Sequence, residues 1–139
     1  MDAKRVINGT WGQVWFDGDL LSECYGLQAK VNYNKEDVNQ CGQMAIDKKI
    51  TSYECTGSLK LHKVNSRIAK KMNNAAKEGL DVRCEIISKL ADPDSYGKER
   101  VALRGVSFDD LTLADWEAKT LGKVEAPFHF VDYEFYDMI

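Results

Sequence analysis

Hydrophobic and polar residues alternate along several stretches of the chain, as in strands with one face in a core. The clearest stretch is residues 24–33, whose apolar face is predicted to carry Tyr25, Leu27, Ala29, Val31 and Tyr33. A second covers residues 53–64, where Tyr53, Cys55, Leu59 and Leu61 share a face. Each strand therefore has one face for a core and one mixed polar face for a different environment.

Shorter strands are predicted on both sides of these two. Val14 to Phe16 run into Asp17-Gly18, a strong signal for a tight hairpin turn. Further strands are expected over residues 82–90 and 100–108, the second with a bulge at Gly105. One or two more are expected over residues 116–135, where Val124, Ala126, Phe128 and Phe130 share a face.

One stretch, residues 65–79, has the period of a helix. Its apolar stripe is Ile68, Ala69, Met72, Ala75 and Ala76. Asn65 or Ser66 can cap the start, and Gly79 can end the helix in the left-handed region. The stripe predicts a helix packed on a sheet.

Residues 34–52 show neither a strand period nor a helix period. They are polar, with Gly42 near the middle, and predict a long inter-strand loop over residues 36–50 or an extended hairpin. Loops of this length are usually functional or disordered.

Together these elements predict a mainly antiparallel α+β fold, a small sandwich or barrel with one flanking helix. The 139 residues fit a single domain, 1–139, with residues 1–7 as a possible flexible arm.

The composition narrows the choice of partners. A net charge of −3 argues against a protein that grips nucleic-acid phosphates. No apolar run is long enough to span a membrane and no signal peptide is evident, so the expected location is the cytoplasm.

The four cysteines form no CxxC pair and are expected to be free, buried thiols.

Residues 108–117, FDDLTLADWE, raise the question of an active site, because they hold Asp109, Asp110, Asp115 and Glu117. Adjacent carboxylates on a strand point to opposite faces, and no calcium-loop pattern is present. A hidden enzyme site would need Asp109 or Asp110 brought near His62 or His129. No nucleophile or phosphate-loop motif supports one, so no catalytic residue, metal or cofactor is expected.

Extended segments of the chain resemble the tail tube proteins of contractile phage tails and of PBSX-like defective prophages. They are NGTWGQVWFDGDLL, TGSLKLHKVNS, KLADPDSYGKERVAL, FDDLTLADWEA and EAPFHFVDYEF. The likeness runs from about Asn8 to the C-terminus and includes no catalytic residue. The four cysteines belong to no pattern of the family.

The resemblance implies a non-enzymatic structural subunit that forms hexameric rings, stacked into the inner tube of a phage tail or tail-like bacteriocin (tailocin). It implies a surrounding sheath, baseplate and tail terminator proteins as partners, and DNA passing through the lumen without specific binding. Assembly would take place in the bacterial cytoplasm, with no membrane partner. In this context the acidic segment joins two strands, and Trp116 is expected to anchor that junction through its large buried area.

Two sets of site residues follow from this hypothesis. Inter-ring contact is expected from Glu36, Asp37, Val38, Asn39, Gln40, Gly42, Met44, Lys48 and Lys49. The lumen-facing set is Gln28, Lys30, Asn32, Glu54, Thr56, Ser58 and Lys60. The periodicity of these polar strand faces is equally compatible with the outer surface of an ordinary sandwich. The alternative function is therefore a monomeric β-rich binding module.

Overall fold

One long strand takes part in both sheets of the fold, as shown by a computed structural model that describes residues 1–139 except the side chains of residues 74–76. The strands are β1 (Gly12–Phe16), β2 (Asp19–Leu20), β3 (Cys24–Val38), β4 (Asp47–His62), β5 (Cys84–Leu90), β6 (Glu99–Phe108), β7 (Lys123–Phe130) and β8 (Asp132–Asp137). The helix α1 covers Arg67–Lys77. This confirms the predicted mainly antiparallel fold with a flanking helix.

The strands lie in the order β2-β1-β5-β6-β7-β4-β3, and β8 also pairs with β6. All pairs are antiparallel, and the sheet does not close on itself, so the chain forms an open two-layered sandwich. β7 and then β8 both pair with β6, and one register runs from the pair Phe108↔Phe128 in β7 to the pair Val101↔Phe135 in β8. β6 is therefore the shared strand of both layers.

The predicted bulge at Gly105 separates the two layers. Gly105 has φ +67°, and between Val106↔Cys84 and Leu103↔Ile86 the strand β6 has one residue more than β5. On the other side, the Val131 N–H donates to the Arg104 carbonyl between β7 and β8. The bend keeps β7 beside β4 and directs β8 away from it.

The core lies between the layers and is built on aromatic rings. Phe108 packs against Phe16 and Phe128, with ring centroids 5.9 and 6.2 Å apart, and Phe130 continues the row. The fully buried side chains include Phe128, Leu59, Ile86 and Val106. Burial of each such side chain stabilises the fold by roughly 1.5–3 kcal/mol.

The helix covers one end of the sandwich. Asn65 Oδ1 accepts from the Arg67 N–H at its start, and Gly79, at φ +75°, follows its end as predicted. Ile68 is buried and Met72 half-buried against the core. The other predicted stripe residues, Ala75 and Ala76, lie outside the described side chains.

Of the two predictions for residues 36–50, the extended hairpin is the one that the structure shows, and the loop over those residues is wrong in its bounds. β3 and β4 stay paired to Val38↔Asp47, so the connection covers only residues 39–46. Beyond Val31↔Cys55, the described chain supplies no further strand beside β4, and both faces of the hairpin meet water. Two wet faces need no hydrophobic alternation, which is why the pattern failed there. We call residues 32–54 the hairpin arm.

Two smaller predictions, the face of Tyr25 and the burial of all four cysteines, are wrong. Tyr25 does not share the face of Leu27, because a bulge between Cys24 and Gly26 turns its ring onto His62, with centroids 4.6 Å apart. All four cysteines are free, but only Cys55 and Cys84 are buried among the described residues, whereas Cys24 is half-buried and Cys41 exposed.

The first residues form a short 3-10 turn, Ala3–Arg5. The Arg5 guanidinium donates to the Asp94 carbonyl at 3.1 Å and lies 5.0 Å from the Tyr96 ring centre. The flexible arm expected for residues 1–7 stays a prediction.

Candidate assembly surfaces

The seven residues of the predicted lumen set lie together on one face of β3 and β4. Gln28 pairs with Ser58, Lys30 with Thr56, and Asn32 with Glu54, while Lys60 pairs with Gly26. Asn32 Nδ2 also donates to Thr56 Oγ1 at 3.0 Å. The opposite face of the same strands carries the core residues Leu59 and Cys55. We call this surface the polar face.

β7 extends the polar face with residues that the prediction omitted. Glu125 lies opposite Lys60, Lys123 opposite His62, and His129 opposite Thr56. The sequence could have indicated that these three residues share a face, because they alternate with the apolar residues of β7, which are Val124, Ala126, Phe128 and Phe130. The order of the strands, with β7 beside β4, could not be obtained from that alternation.

The charges on the polar face nearly cancel. Three ammonium groups, of Lys30, Lys60 and Lys123, share it with the carboxylates of Glu54, Glu125 and Asp109, the last through its contact with His129. Cross-strand pairs of opposite charge each contribute roughly 0.2–1 kcal/mol. A balanced surface of this kind has little net attraction for phosphates.

The structure does bring one predicted acid and one histidine together. His129 Nδ1 contacts Asp109 Oδ1, but both side chains are exposed, to 54% and 37%. Ser107 lies opposite His129 in the ladder, yet its hydroxyl donates to Asp81 at 3.2 Å. A hydrolytic triad requires the nucleophile to hydrogen-bond to the histidine. The pair therefore has the geometry of a surface contact between strands.

The predicted inter-ring residues lie at the tip of the hairpin arm, where all are exposed. Glu36 faces Lys49 and Asp37 faces Lys48 across the ladder, and Lys48 Nζ lies 3.8 Å from Asp37 Oδ1. Val38 ends β3, and the remaining residues lie in or next to the connection: Asn39, Gln40, Gly42 and Met44. Met44 is fully exposed.

The acidic segment forms the loop between β6 and β7, residues 109–122. The expectation that Trp116 anchors this junction by burial is wrong, because its side chain is 85% exposed. Leu113 and Leu121 are exposed to a similar degree. The loop is fixed at its ends instead, where the Asp109 N–H donates to the Pro127 carbonyl and the Lys63 N–H to that of Gly122.

Neither a metal centre nor a membrane-spanning helix is found in the part of the chain that the structure describes. No three His, Cys, Asp or Glu side chains there converge as metal ligands. No helix there combines the length and apolar character that a membrane span requires.

Family comparison places the chain in a known class of protein. A family model described as "Phage tail tube protein" matches residues 1–137. The chain belongs to the phage tail tube protein family. It is accordingly a structural subunit of a tail tube, which confirms the function inferred from the sequence. A comparison with curated proteins gave no match.

Solved structures share the fold. A chain in the extended sheath–tube complex of the PVC extracellular contractile injection system has a TM-score of 0.76 at 8% identity, over 98% of this chain and 95% of that one. A chain in the tube-terminating cap of the anti-feeding prophage has 0.76 at 9%, over 99% and 95%. A Bacillus subtilis protein is 30% identical over 99% of this chain and all of its own, with a TM-score of 0.55.

Proposed function

We propose that six copies of this chain form a ring, and that rings stack into the inner tube of a contractile tail or tail-like particle. The polar face of β3, β4 and β7 lines the lumen. The observation that carries this proposal is the shared face of Gln28, Lys30, Asn32, Glu54, Thr56, Ser58 and Lys60, opposite the core.

The lumen assignment follows from the chemistry of the two sides of this sheet. One side packs the core, and the other is polar and suited to face a water-filled lumen. Its nearly balanced charges allow DNA to pass without adhering, because phosphates bind to clustered Lys and Arg. The exposed His129–Asp109 contact has no catalytic role in this arrangement.

The partners proposed for the tube are a sheath outside it, a baseplate and a terminating cap. Structures with this fold include one in a sheath–tube complex, one in a baseplate and one in a cap. The hairpin arm supplies the contact with the neighbouring ring. Assembly takes place in the bacterial cytoplasm before the particle is released.

The class is tested by negative-stain electron microscopy of the purified protein at high concentration, with its mass measured by light scattering. Hollow tubes or stacked rings with six-fold end views are expected. A chain that stays monomeric even with baseplate components would contradict the proposal and favour the monomeric binding module.

The orientation of the wall is tested by cysteine labelling of assembled tubes in a Cys41→Ser background. Ser58→Cys places a thiol on the polar face, and Lys89→Cys places one on the outer side of the other layer, next to the inward-facing Ser88. Both are expected to react with a small maleimide, but only Lys89→Cys with a bulky polymer-linked maleimide. Equal reaction of both thiols with the bulky reagent would place the polar face outside.

A further inference from the structure

Opposite ends of the molecule carry an apolar groove and an apolar loop, neither of which has a partner within the described side chains of the same copy. We propose that the loop 111–121 of one copy docks into the groove of the next copy, as a head-to-tail contact between subunits of the tube. This inference rests on the proposed assembly and adds the two surfaces that meet.

The groove lies where the two layers separate. Leu27, Val31 and Tyr33 form one wall, and the other comes from β5, β6 and β8, with Leu90, Val101, Leu103, Tyr133 and Phe135. Its volume is about 460 Å³. The groove exists because the bend at Gly105 and Val131 directs β8 away from β4. Tyr33, Tyr133 and Phe135 remain 56%, 38% and 42% exposed.

The helix covers the other end of the sandwich but does not reach this one. Ile68 lies with Leu61, Val124 and Ala126 around a small cavity at the helix end. At the groove end, the described part of the chain supplies no comparable cover. An apolar opening between packed layers is a site where an interaction is expected.

The loop is the apolar counterpart of the groove. Leu113, Trp116 and Leu121 are 89%, 85% and 81% exposed, which leaves three large side chains in water on one short segment. Leu111 is half-buried beside the helix. Backbone hydrogen bonds at Asp109 and Gly122 hold the two ends of the loop, so the exposed segment starts and finishes at fixed points.

The occupant is a second copy of the chain, because the two surfaces lie at opposite ends of one strand. β6 runs from Glu99, beside the groove, to Phe108, where the loop begins. Ten residues of strand span roughly 30 Å. A patch and its complement on different parts of one surface give a heterologous contact, which repeats from copy to copy.

The area of the contact fits a repeating assembly better than an isolated pair. A buried aromatic side chain contributes ~150–250 Å², so Trp116 with two leucines offers on the order of 400 Å². With an equal area from the groove, one contact buries roughly 800 Å², below the ~1,200 Å² of a stable pair. Six contacts between two rings reach about 5,000 Å² and act together.

The contact is tested by photo-crosslinking from position 116 in the full-length protein. Benzoylphenylalanine replaces Trp116 in one preparation and, as a control, Tyr25 in another, an aromatic residue 48% exposed outside both the loop and the groove. Mixing isotope-labelled and unlabelled protein identifies links between copies. Links from position 116 to β3 or β8 of another copy support the proposal. Links from position 116 exclusively to other surfaces, or none at high concentration, overturn it.

Two charge variants test the direction of the contact. Trp116→Asp removes the loop's anchor and Phe135→Asp blocks the groove, and both positions are exposed enough for the fold to persist, which circular dichroism checks. Each variant alone is expected to lose stacking. Mixed after separate purification, they are expected to form a single junction that does not extend, since one retains the groove and the other the loop.

The outcomes separate this inference from the tube proposal. Tubes that form normally from either variant would overturn the loop–groove contact and leave the tube in place. A wild-type chain that forms neither rings nor tubes, even with baseplate components, would overturn the tube. Cross-links from position 116 to the groove in such a preparation would still support the contact between copies.

Discussion

Gly57 on β4 lies directly against the ring of Phe128 on β7. A Cβ built at position 57 would lie 2.6 Å from Phe128 Cζ and 2.4 Å from the Gln28 carbonyl oxygen. Real Cβ atoms do not approach other atoms this closely, so any side chain at position 57 has to displace the core or the ladder. The absence of a side chain here allows the fully buried Phe128 ring to pack against the sheet.

We expect Gly57→Ala to lower the free energy of unfolding by about 3 kcal/mol, the upper part of the range for overpacked cores. Urea unfolding followed by tryptophan fluorescence measures the change. Gly9→Ala is the matched control, since nothing lies within 4 Å of a Cβ there, and its effect should stay within ~0.5 kcal/mol. An equal effect at both positions would contradict the packing argument.

Gly105 and Val131 form the second tight pair, at the bend between the layers. Gly105→Ala is expected to destabilise the fold by about 2–3 kcal/mol, because it adds a left-handed backbone cost of roughly 1–2 kcal/mol to a clash with Val131 Cγ2, 2.4 Å from the added Cβ. Val131→Ala in the same chain should recover about 1 kcal/mol by removing the clash alone. A double-mutant cycle by urea unfolding measures the coupling, and strictly additive effects would exclude the clash.

The Asp17–Lys71 ion pair joins the first hairpin to the helix and gives stability a pH dependence. Burial alone would raise the pKa of Asp17, but the Lys71 ammonium and the Glu85 N–H hydrogen-bond to its carboxylate and hold the pKa below its ordinary 3.8. The hydrogen bond to Asp17 also raises the pKa of Lys71 above 10.5. A lowered acid pKa adds stability that is complete above pH 3.8 and is lost as pH falls through the folded value.

Asp17→Asn should therefore destabilise the protein at pH 7 by on the order of 0.5 kcal/mol, since water still reaches and screens this partly exposed pair. Asparagine tolerates the left-handed conformation of residue 17, φ 49°, so the turn itself is preserved. The difference between variant and wild type should vanish below the folded pKa of Asp17. Unfolding curves from pH 2 to pH 7 measure it, and a difference that persists at the acid end would contradict the assignment.

Shortening the hairpin arm is expected to stop polymerisation without unfolding the subunit. Replacing residues 36–49 by Asn-Gly joins Lys35 to Ile50 through a tight turn and leaves the core ladder from Val31↔Cys55 unchanged. The free energy of unfolding should change by less than ~1 kcal/mol, since the removed residues lie on the surface. Gln43→Ser with Ala45→Ser keeps the length and leaves every proposed contact residue in place, as a control. Normal tubes from the shortened chain would remove the arm from the ring contact.

Cys41 is expected to be the thiol that reacts first in the native protein, because it is exposed on the arm. Burial raises the pKa of the Cys55 and Cys84 thiols, so their reactive thiolate is scarce at neutral pH. Reaction with a chromogenic disulfide, followed by mass spectrometry, should give one fast site that Cys41→Ser abolishes. Protection of Cys41 in assembled tubes would place the arm tip in a contact between copies, and full reactivity there would exclude it.

Alternation predicted the parts of the fold where one strand face is buried and the other wet. The faces of Leu27, Leu59 and Phe128 follow directly from that rule, as does the turn at Asp17-Gly18. The cap at Asn65 and the stop at Gly79 were also predictable, since each depends on local backbone chemistry.

The arm and the site depend on information that no local pattern contains. Both faces of the arm meet water, and its charged residues follow neither the period of a strand nor that of a helix. The contact of His129 with Asp109 depends on the register of β6 and β7, and the turn of Tyr25 onto His62 depends on a bulge. Trp116 was expected to be buried because its side chain is large and apolar, but local pattern does not say whether a loop folds back onto the core, and here it leaves Trp116 exposed.

The single register that β6 keeps with β7 and β8 also restricts how this chain can change in length. A residue inserted into β6 would reverse the faces of both layers at once, because strand side chains alternate with a period of two. Insertions and deletions are therefore confined to segments outside the ladder, such as residues 39–46, 91–98 and 109–122. Two of these segments are surfaces proposed to meet other copies, so a change in length there would alter how subunits fit together while leaving each subunit folded.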